Sequence, residues 1–331
     1  MFKKILMLSL FLTFPLTLKA DFVTGERYVR EKNYSAAFNE FLPDANAGDA
    51  RSQYYVGYLY YYGYGIPQNL DKAVEYLTIS AQKNNANAQS LLGYMYDRGE
   101  GVPLDKKKAF ELYKAAADQQ NPSAIFNLGL AYYQGSGVAS NIQKAIELLS
   151  SIPIDEDNKH VGFYLGNFYL NTEDSDKIEK ARDYFSQSAK FGHIDSFFSL
   201  AKIFEEVDKN LDKAIEYYTY AASQQYAPAQ YVLGTIYING NGVKRDLPHG
   251  YAWMEMASKQ NYEPAQQALK DIGPTMILSQ SEKAREEFGR IQNDIINKIE
   301  SPFIVQQRIE EANKPAEEQK IFFIPRGGRR I

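Results

Sequence analysis

Val56-Gly57-Tyr58-Leu59-Tyr60, Leu92-Gly93-Tyr94-Met95-Tyr96 and Leu128-Gly129-Leu130-Ala131-Tyr132 follow one another at steps of 36 residues. The same step separates Gly63, Gly99 and Gly135, then Gly65, Gly101 and Gly137, then Ala73, Ala109 and Ala145. Four columns in one register define an array of repeated units, so the about two globular domains that 331 residues would otherwise suggest do not apply. Leu233-Gly234-Thr235-Ile236-Tyr237 and Leu165-Gly166-Asn167-Phe168-Tyr169 extend the series. A further copy carries Ala201 in the glycine column and Phe204 in the tyrosine column.

Each column has a physical task. A mid-helix glycine costs about 1 kcal/mol of helix propensity. Gly57 and its equivalents therefore predict a point where a second helix approaches closely. The residue before each glycine and the aromatic three after it share a helical face and fill the core. The following pairs, such as Gly63-Tyr64-Gly65-Ile66 and Gly240-Asn241-Gly242-Val243, end the first helix with a residue free to adopt positive φ. Four residues before the alanine column stand Asn33, Asn69, Asp105, Asn141, Asn210 and Asp246, all suited to cap the next helix, and only Lys177 breaks that column. Paired small residues such as Ala116-Ala117 and Ala221-Ala222 let the second helix pack closely.

These units resemble Sel1-like repeats, relatives of tetratricopeptide repeats with a longer Gly-x-Gly-Val loop between the helices. The resemblance covers residues 22–271 and implies an all-α fold, an α/α solenoid of antiparallel helix pairs followed by a C-terminal amphipathic helix. It departs from the pattern where the fourth repeat lacks the glycine loop. The intervals Gly25–Ala37 and Ala201–Ala214 also have the shorter length of an ordinary tetratricopeptide repeat. The expected organisation is an export signal over 1–20, a capping repeat over 21–48, the array with its terminal helix over 49–271, a helical segment over 272–313 and a solvated tail over 314–331.

The two ends differ in kind from the array. Met1–Lys4 is short and basic, residues 5–18 are apolar, and Ala20 precedes Asp21, the pattern of a cleaved secretory signal. The apolar run is shorter than the about 20 residues a spanning helix needs. Near the other end, Ser279-Gln280-Ser281-Glu282 offers a capping box. Ala284, Phe288, Ile291, Ile295 and Ile299 then form one stripe on a helix of about 20 residues. That stripe packs back on the last repeat, or drives a coiled coil or self-association through 281–299. Ser301-Pro302 starts a second short helix. In the tail, Ile321-Phe322-Phe323-Ile324 lies between acidic and basic clusters.

Composition narrows the function. The chain has no Cys, which excludes disulfides and thiolate metal sites. Its formal charge of −4, more negative still without the three lysines of residues 1–20, argues against nucleic acid as partner. The histidines, His160, His193 and His249, have no close metal-ligand spacing, and neither a phosphate-binding loop nor a Gly-x-Ser-x-Gly elbow occurs. No catalytic residue, cofactor or metal is expected. The nearest thing to a reacting cluster is Glu205, Glu206 and Asp208, which an envelope hydrolase acting on cell-wall or β-lactam substrates would need, and which solvated helix-end charge explains.

What remains is a surface. In the resembling tetratricopeptide family the first helices line a concave groove. Carried onto this chain, that placement gives Arg51, Tyr54, Tyr58, Tyr61 and Tyr62, then Asn87, Ser90, Tyr94, Asp97 and Arg98. Phe126, Tyr133, Phe163, Phe198 and Tyr231 continue it along the later units. Tyrosines with nearby arginines make binding hot spots. The expectation is a non-enzymatic scaffold that holds a peptide or helix of a partner protein in this groove. The sequence resembles exported Sel1-repeat proteins of Gram-negative bacteria, which implies a periplasmic, outer-membrane-associated or secreted place, a partner in the envelope or the host, and a role in envelope regulation or host-cell infection. Any membrane association would run through a partner.

Overall fold

Side-chain caps set where the helices begin. Asp49, Asn85 and Asn121 accept from the amides of Ser52, Ala88 and Ala124 at 2.8, 3.0 and 3.0 Å, opening the first helix of three successive repeats. Asn69, Asp105 and Asn141 do the same for the second helices. The computed structural model describes residues 22–312, and those residues form helices and no strand. The readings of residues 1–20 as a signal and of 314–331 as a tail lie outside the described residues.

The chain divides into two compact units after Leu149. The first contains α1 (Phe22–Arg30), α2 (Tyr34–Asn46), α3 (Ala50–Tyr62), α4 (Leu70–Gln82), α5 (Ala86–Arg98), α6 (Lys106–Ala117), α7 (Pro122–Gln134) and most of α8 (Ile142–Ser150). The second contains α9 (Lys159–Leu170), α10 (Lys177–Lys190), α11 (Ile194–Glu206), α12 (Leu211–Ser223), α13 (Ala227–Asn239), α14 (Leu247–Lys259) and α15 (Glu263–Ile272). It continues with α16 (Leu278–Arg290) and α17 (Pro302–Ala312). Neighbours in sequence pack as pairs, and short loops between them make the pairs antiparallel. This is an all-α, helix-pair solenoid fold.

The two glycines of each inter-helix loop have different tasks. Gly63 sits at φ 69° and its amide donates to the Leu59 carbonyl, closing α3 with a left-handed cap. Gly137 also has positive φ, but its second constraint is contact. A Cβ there would lie 2.2 Å from the carbonyl oxygen of Lys106, in the first turn of the preceding repeat's second helix. Helix ending explains only the first glycine of the pair; close approach to the neighbouring repeat explains the second.

Each unit buries its own core. In the first, Phe41, Val56 and Leu59 are fully buried and the Phe41 and Tyr55 rings stack at 4.4 Å. In the second, Phe185, Phe197, Leu200, Tyr218, Leu233 and Trp253 belong to one apolar cluster, and each such side chain contributes about 1.5–3 kcal/mol. A column of buried glutamines ties consecutive pairs together: the Gln53, Gln89 and Gln230 carboxamides donate to the carbonyls of Ala45, Ala81 and Ala222 at 3.1, 3.3 and 3.0 Å. These carbonyls lie in the last turn of the preceding second helix, where the helix itself leaves acceptors unmet.

The C-terminal segment corrects the sequence expectation in two respects. α16 starts earlier than the Ser279 capping box implies, because Gln280 Oε1 accepts from the Ile277 amide at 3.1 Å and so forms half of such a box. The α-helix stops at Arg290 and passes into a π turn over Ile291–Ile295 and a 3₁₀ turn over Ile296–Lys298, so the stripe does not ride one helix of about 20 residues. Ala284 and Ile291 are buried, Phe288 joins the core cluster, and α16 packs on α14. This part of the stripe is thus covered within the chain rather than presented for a coiled coil. α17 begins at Pro302, and Phe303 packs edge-on to Phe197 at 5.6 Å.

Candidate binding clefts on the first helices

Tyr54, Tyr58 and Tyr62 recur every four residues of α3 and so share one face. Their ring centroids lie 6.0 and 4.7 Å apart. Tyr64 stacks on Tyr62 at 5.1 Å and Tyr34 stacks on Tyr64 at 4.7 Å, extending the ladder into the loop and onto α2. Opposite this bank, α5 contributes Asn87, Ser90, Leu91 and Tyr94, and the start of α7 contributes Asn121, Ser123 and Asn127. Together they enclose a cleft of about 250 Å³ in which, among the described residues, no lining side chain carries a charge.

The phenols of Tyr54, Tyr58 and Tyr62 stay protonated. Burial pushes Tyr58 up to about 12 and raises Tyr54 and Tyr62 too, with the adjacent tyrosines adding to the effect. None of these three hydroxyls donates to a carboxylate, whereas those of Tyr55, Tyr218 and Tyr226 donate to Glu26, Glu205 and Asp195. On the facing bank Asn121 donates to the Asn87 side-chain oxygen at 2.7 Å, which orients both amides. The cleft therefore offers aromatic faces on one side and neutral hydroxyl and amide groups on the other.

Other residues expected in the groove go elsewhere. Tyr61 is only 8% exposed, and its hydroxyl donates to Glu100. Arg51 lies over the Phe22 ring at 4.1 Å and beside Asp49, and Arg98 pairs with Glu100 at 2.6 Å. Phe126 and Tyr133 are half-buried on α7 outside the cleft lining. A Tyr61→Phe variant loses a hydrogen bond to a charged acceptor and should be destabilised by about 1 kcal/mol in urea unfolding, with ligand binding in the cleft unchanged. Tyr61 first and Arg98 second hold the Glu100 carboxyl below its ordinary value. Its stabilising contribution is therefore complete at neutral pH and is lost as pH falls through that lowered value.

The second unit has its own cleft of about 240 Å³, where Phe198 and Tyr231 meet Lys202, Glu205, Glu206 and Thr235. Phe163 instead packs on His193 at 5.1 Å and on Phe185. Two of the carboxylates that a hydrolase would need, Glu205 and Glu206, line this cleft, but all three are engaged by other side chains, Glu206 lying 3.8 Å from the Lys202 ammonium. Glu205 accepts from Tyr218 at 2.8 Å, and Asp208 is held by Arg182 through two contacts of 2.7 Å. Among the described residues no group of three or more His, Asp or Glu is placed to hold a metal ion.

Sequence reasoning missed Leu91, Asn121, Ser123 and Asn127 in the first cleft, and Tyr64 and Tyr34, which stack beyond Tyr62 outside its lining. Ser123 was within reach, since it continues the column of Arg51 and Asn87 six residues before the glycine. Leu91 and Asn127 occupy the position two before the glycine, which the carried-over groove pattern does not include. Tyr34 and Tyr64 come from a neighbouring helix start and a loop, where no helical column announces them.

Comparison with known proteins agrees with this architecture. The Sel1 repeat family matches residues 50–85, 86–121, 122–151, 163–193, 204–226 and 227–262. A Sel1-like repeat-containing protein of Acanthamoeba polyphaga mimivirus is 37% identical over 86 residues, 26% of this chain and 16% of that protein. The fold is similar to the crystal structure of a protective antigen present in uropathogenic Escherichia coli strains, which displays an SLR fold. The TM-score is 0.71 at 25% identity, over 89% of this chain and 63% of the antigen. It is also similar to a Sel1 repeat protein from Oxalobacter formigenes, with a TM-score of 0.62 at 27% identity over 72% of this chain and all of the other. The chain thus spans less than two thirds of the antigen's length and about a sixth of the viral protein's. With the repeat matching more than half of its residues, the chain belongs to the Sel1-repeat family.

Proposed function

We propose that the protein is a binding scaffold whose first-unit cleft holds a segment of another protein. The observation that carries this reading is the ladder of Tyr54, Tyr58 and Tyr62, whose hydroxyls make no bond to a carboxylate, facing a bank of neutral amides. Large rings with few rotors lose little entropy on binding, and clustered tyrosines dominate interface energetics. Phe198 and Tyr231 in the second-unit cleft offer a further contact surface. Export to the envelope of a Gram-negative bacterium is supported by the basic-then-apolar start of the sequence. A place at the cell surface or in host interaction is supported by the likeness to the uropathogenic antigen. No helix among the described residues is long and apolar enough to cross a membrane.

The test is site-specific photo-crosslinking in cells from residue 62 on the cleft, with residue 111 on the exposed side of α6 as control. The partner captured from residue 62 alone should lose affinity by about tenfold or more in a Tyr58→Ala variant that keeps wild-type helicity, since a hot-spot tyrosine is worth at least 1.4 kcal/mol. A partner that binds the variant at wild-type affinity overturns the reading.

A further inference from the structure

Resting on that reading, we infer that the segment held in the first-unit cleft is an uncharged, proline-containing stretch bound as a polyproline II helix. The modes by which proteins hold a peptide along its length each demand a particular surface, and this cleft supplies only one of them. Addition of a strand needs a free sheet edge, and the described residues contain no strand. Recognition of phosphate or acidic motifs needs a cluster of cations, and among the described residues no lysine or arginine lines the cleft. An amphipathic helix needs a broad apolar groove, whereas this lining has one aliphatic side chain, Leu91, among amides, serines and tyrosines.

A polyproline II segment needs what is present. It has no internal hydrogen bonds, so its carbonyls require donors, and its proline rings require flat apolar faces. The phenols of Tyr54, Tyr58 and Tyr62 and the amides of Asn87 and Asn127 supply neutral donors, and the tyrosine rings supply the faces. Length agrees as well. Tyr54 to Tyr62 spans eight helical residues, about 12 Å at 1.5 Å per residue, which equals about four residues of polyproline II at 3.1 Å each. A chain short of amide donors also suits a wall of hydroxyls, which rotate, and of Asn87, whose oxygen is already taken by Asn121 and whose amide nitrogen is left to donate. The absence of charge on the wall leaves charged residues of a ligand desolvated without a partner and so selects against them.

Panning the full chain against a random-peptide phage library tests this, with the Tyr58→Ala and Asn87→Ala variants as counter-selections. Enriched peptides should carry spaced prolines and no net charge. They should bind at least about tenfold more weakly to Tyr58→Ala, and should lose affinity when their prolines are replaced by alanine. Asn87 is exposed, so its variant keeps the test decisive should Tyr58→Ala unfold. Enriched peptides without proline, or with charge, that still depend on Tyr58 or Asn87 overturn the polyproline inference and leave the protein-binding reading standing. If no peptide depends on either residue, or if an oligosaccharide array binds through them instead, both fail.

Discussion

Gly250→Val should lower the unfolding free energy by about 3 kcal/mol or more, a large share of a typical domain's stability. A Cβ at Gly250 would lie 2.6 Å from the Gly234 carbonyl oxygen and 2.9 Å from the Ile238 amide nitrogen, and a Cβ at Gly234 would lie 2.9 Å from the Gly250 carbonyl oxygen. At this crossing α13 and α14 touch backbone to backbone. Nothing there can rotate aside, so the helices must separate and loosen Leu233 and Trp253, which are packed in the same cluster. The mid-helix glycines at 57 and 166 differ in kind: a Cβ there first meets a buried side chain, Leu77 or Phe185, rather than backbone. Gly289 in α16 has no neighbour within 4 Å of its would-be Cβ. Gly289→Ala should therefore gain about 0.5–1 kcal/mol from helix propensity alone. Urea unfolding of the two variants beside the parent reads both effects. A Gly250→Val protein with a midpoint near the parent's would show that the contact is not rigid.

This contrast also explains what could be read from the sequence. Periodic columns were legible because a repeat poses the same steric problem every 36 residues: a small residue where helices cross, a capping side chain, a glycine after the helix. The second-helix caps at Asn69, Asp105 and Asn141 could therefore be named in advance. The buried glutamines at 53, 89 and 230 also form a column, but a glutamine on a helix looks solvent-facing until the carbonyl it satisfies is placed beside it. The cleft was legible only in part. Tyr54, Tyr58 and Tyr62 face it because they share a helical face, while Tyr61, one residue away, turns inward to Glu100. A pattern carried over from a related family does not resolve that rotation when six tyrosines stand within the nine residues 54–62. The loop contribution of Tyr64 depends on how successive repeats meet, which no single repeat encodes.

Trp253→Ala should cost about 3–5 kcal/mol, the usual range for removing a buried tryptophan. It should also free α16 from the second unit. Trp253 is 2% exposed and its Nε1 donates to His249 Nε2 at 3.1 Å. Because that ring nitrogen accepts, the network assigns the imidazole proton to Nδ1, which donates to Glu287 on α16 at 2.9 Å. The Tyr237 ring meets the same imidazole edge-on at 4.4 Å, fixing its plane. One side chain thus anchors the core of the last helix pair and, through His249, the helix that covers it. Trp253→Phe separates the two contributions: it keeps most of the buried ring but leaves His249 Nε2 without its donor, so it should cost about 1–3 kcal/mol for an unmet polar atom and a smaller ring. Amide exchange reads α16 directly. In Trp253→Ala, the amides of 281–290 should exchange faster than those of α11, because α16 loses the surface it rests on and a helix of this length is marginal alone. Equal acceleration in α11 and α16 would mean instead that the unit opens as one body and that the His249 link carries no separate share of the docking.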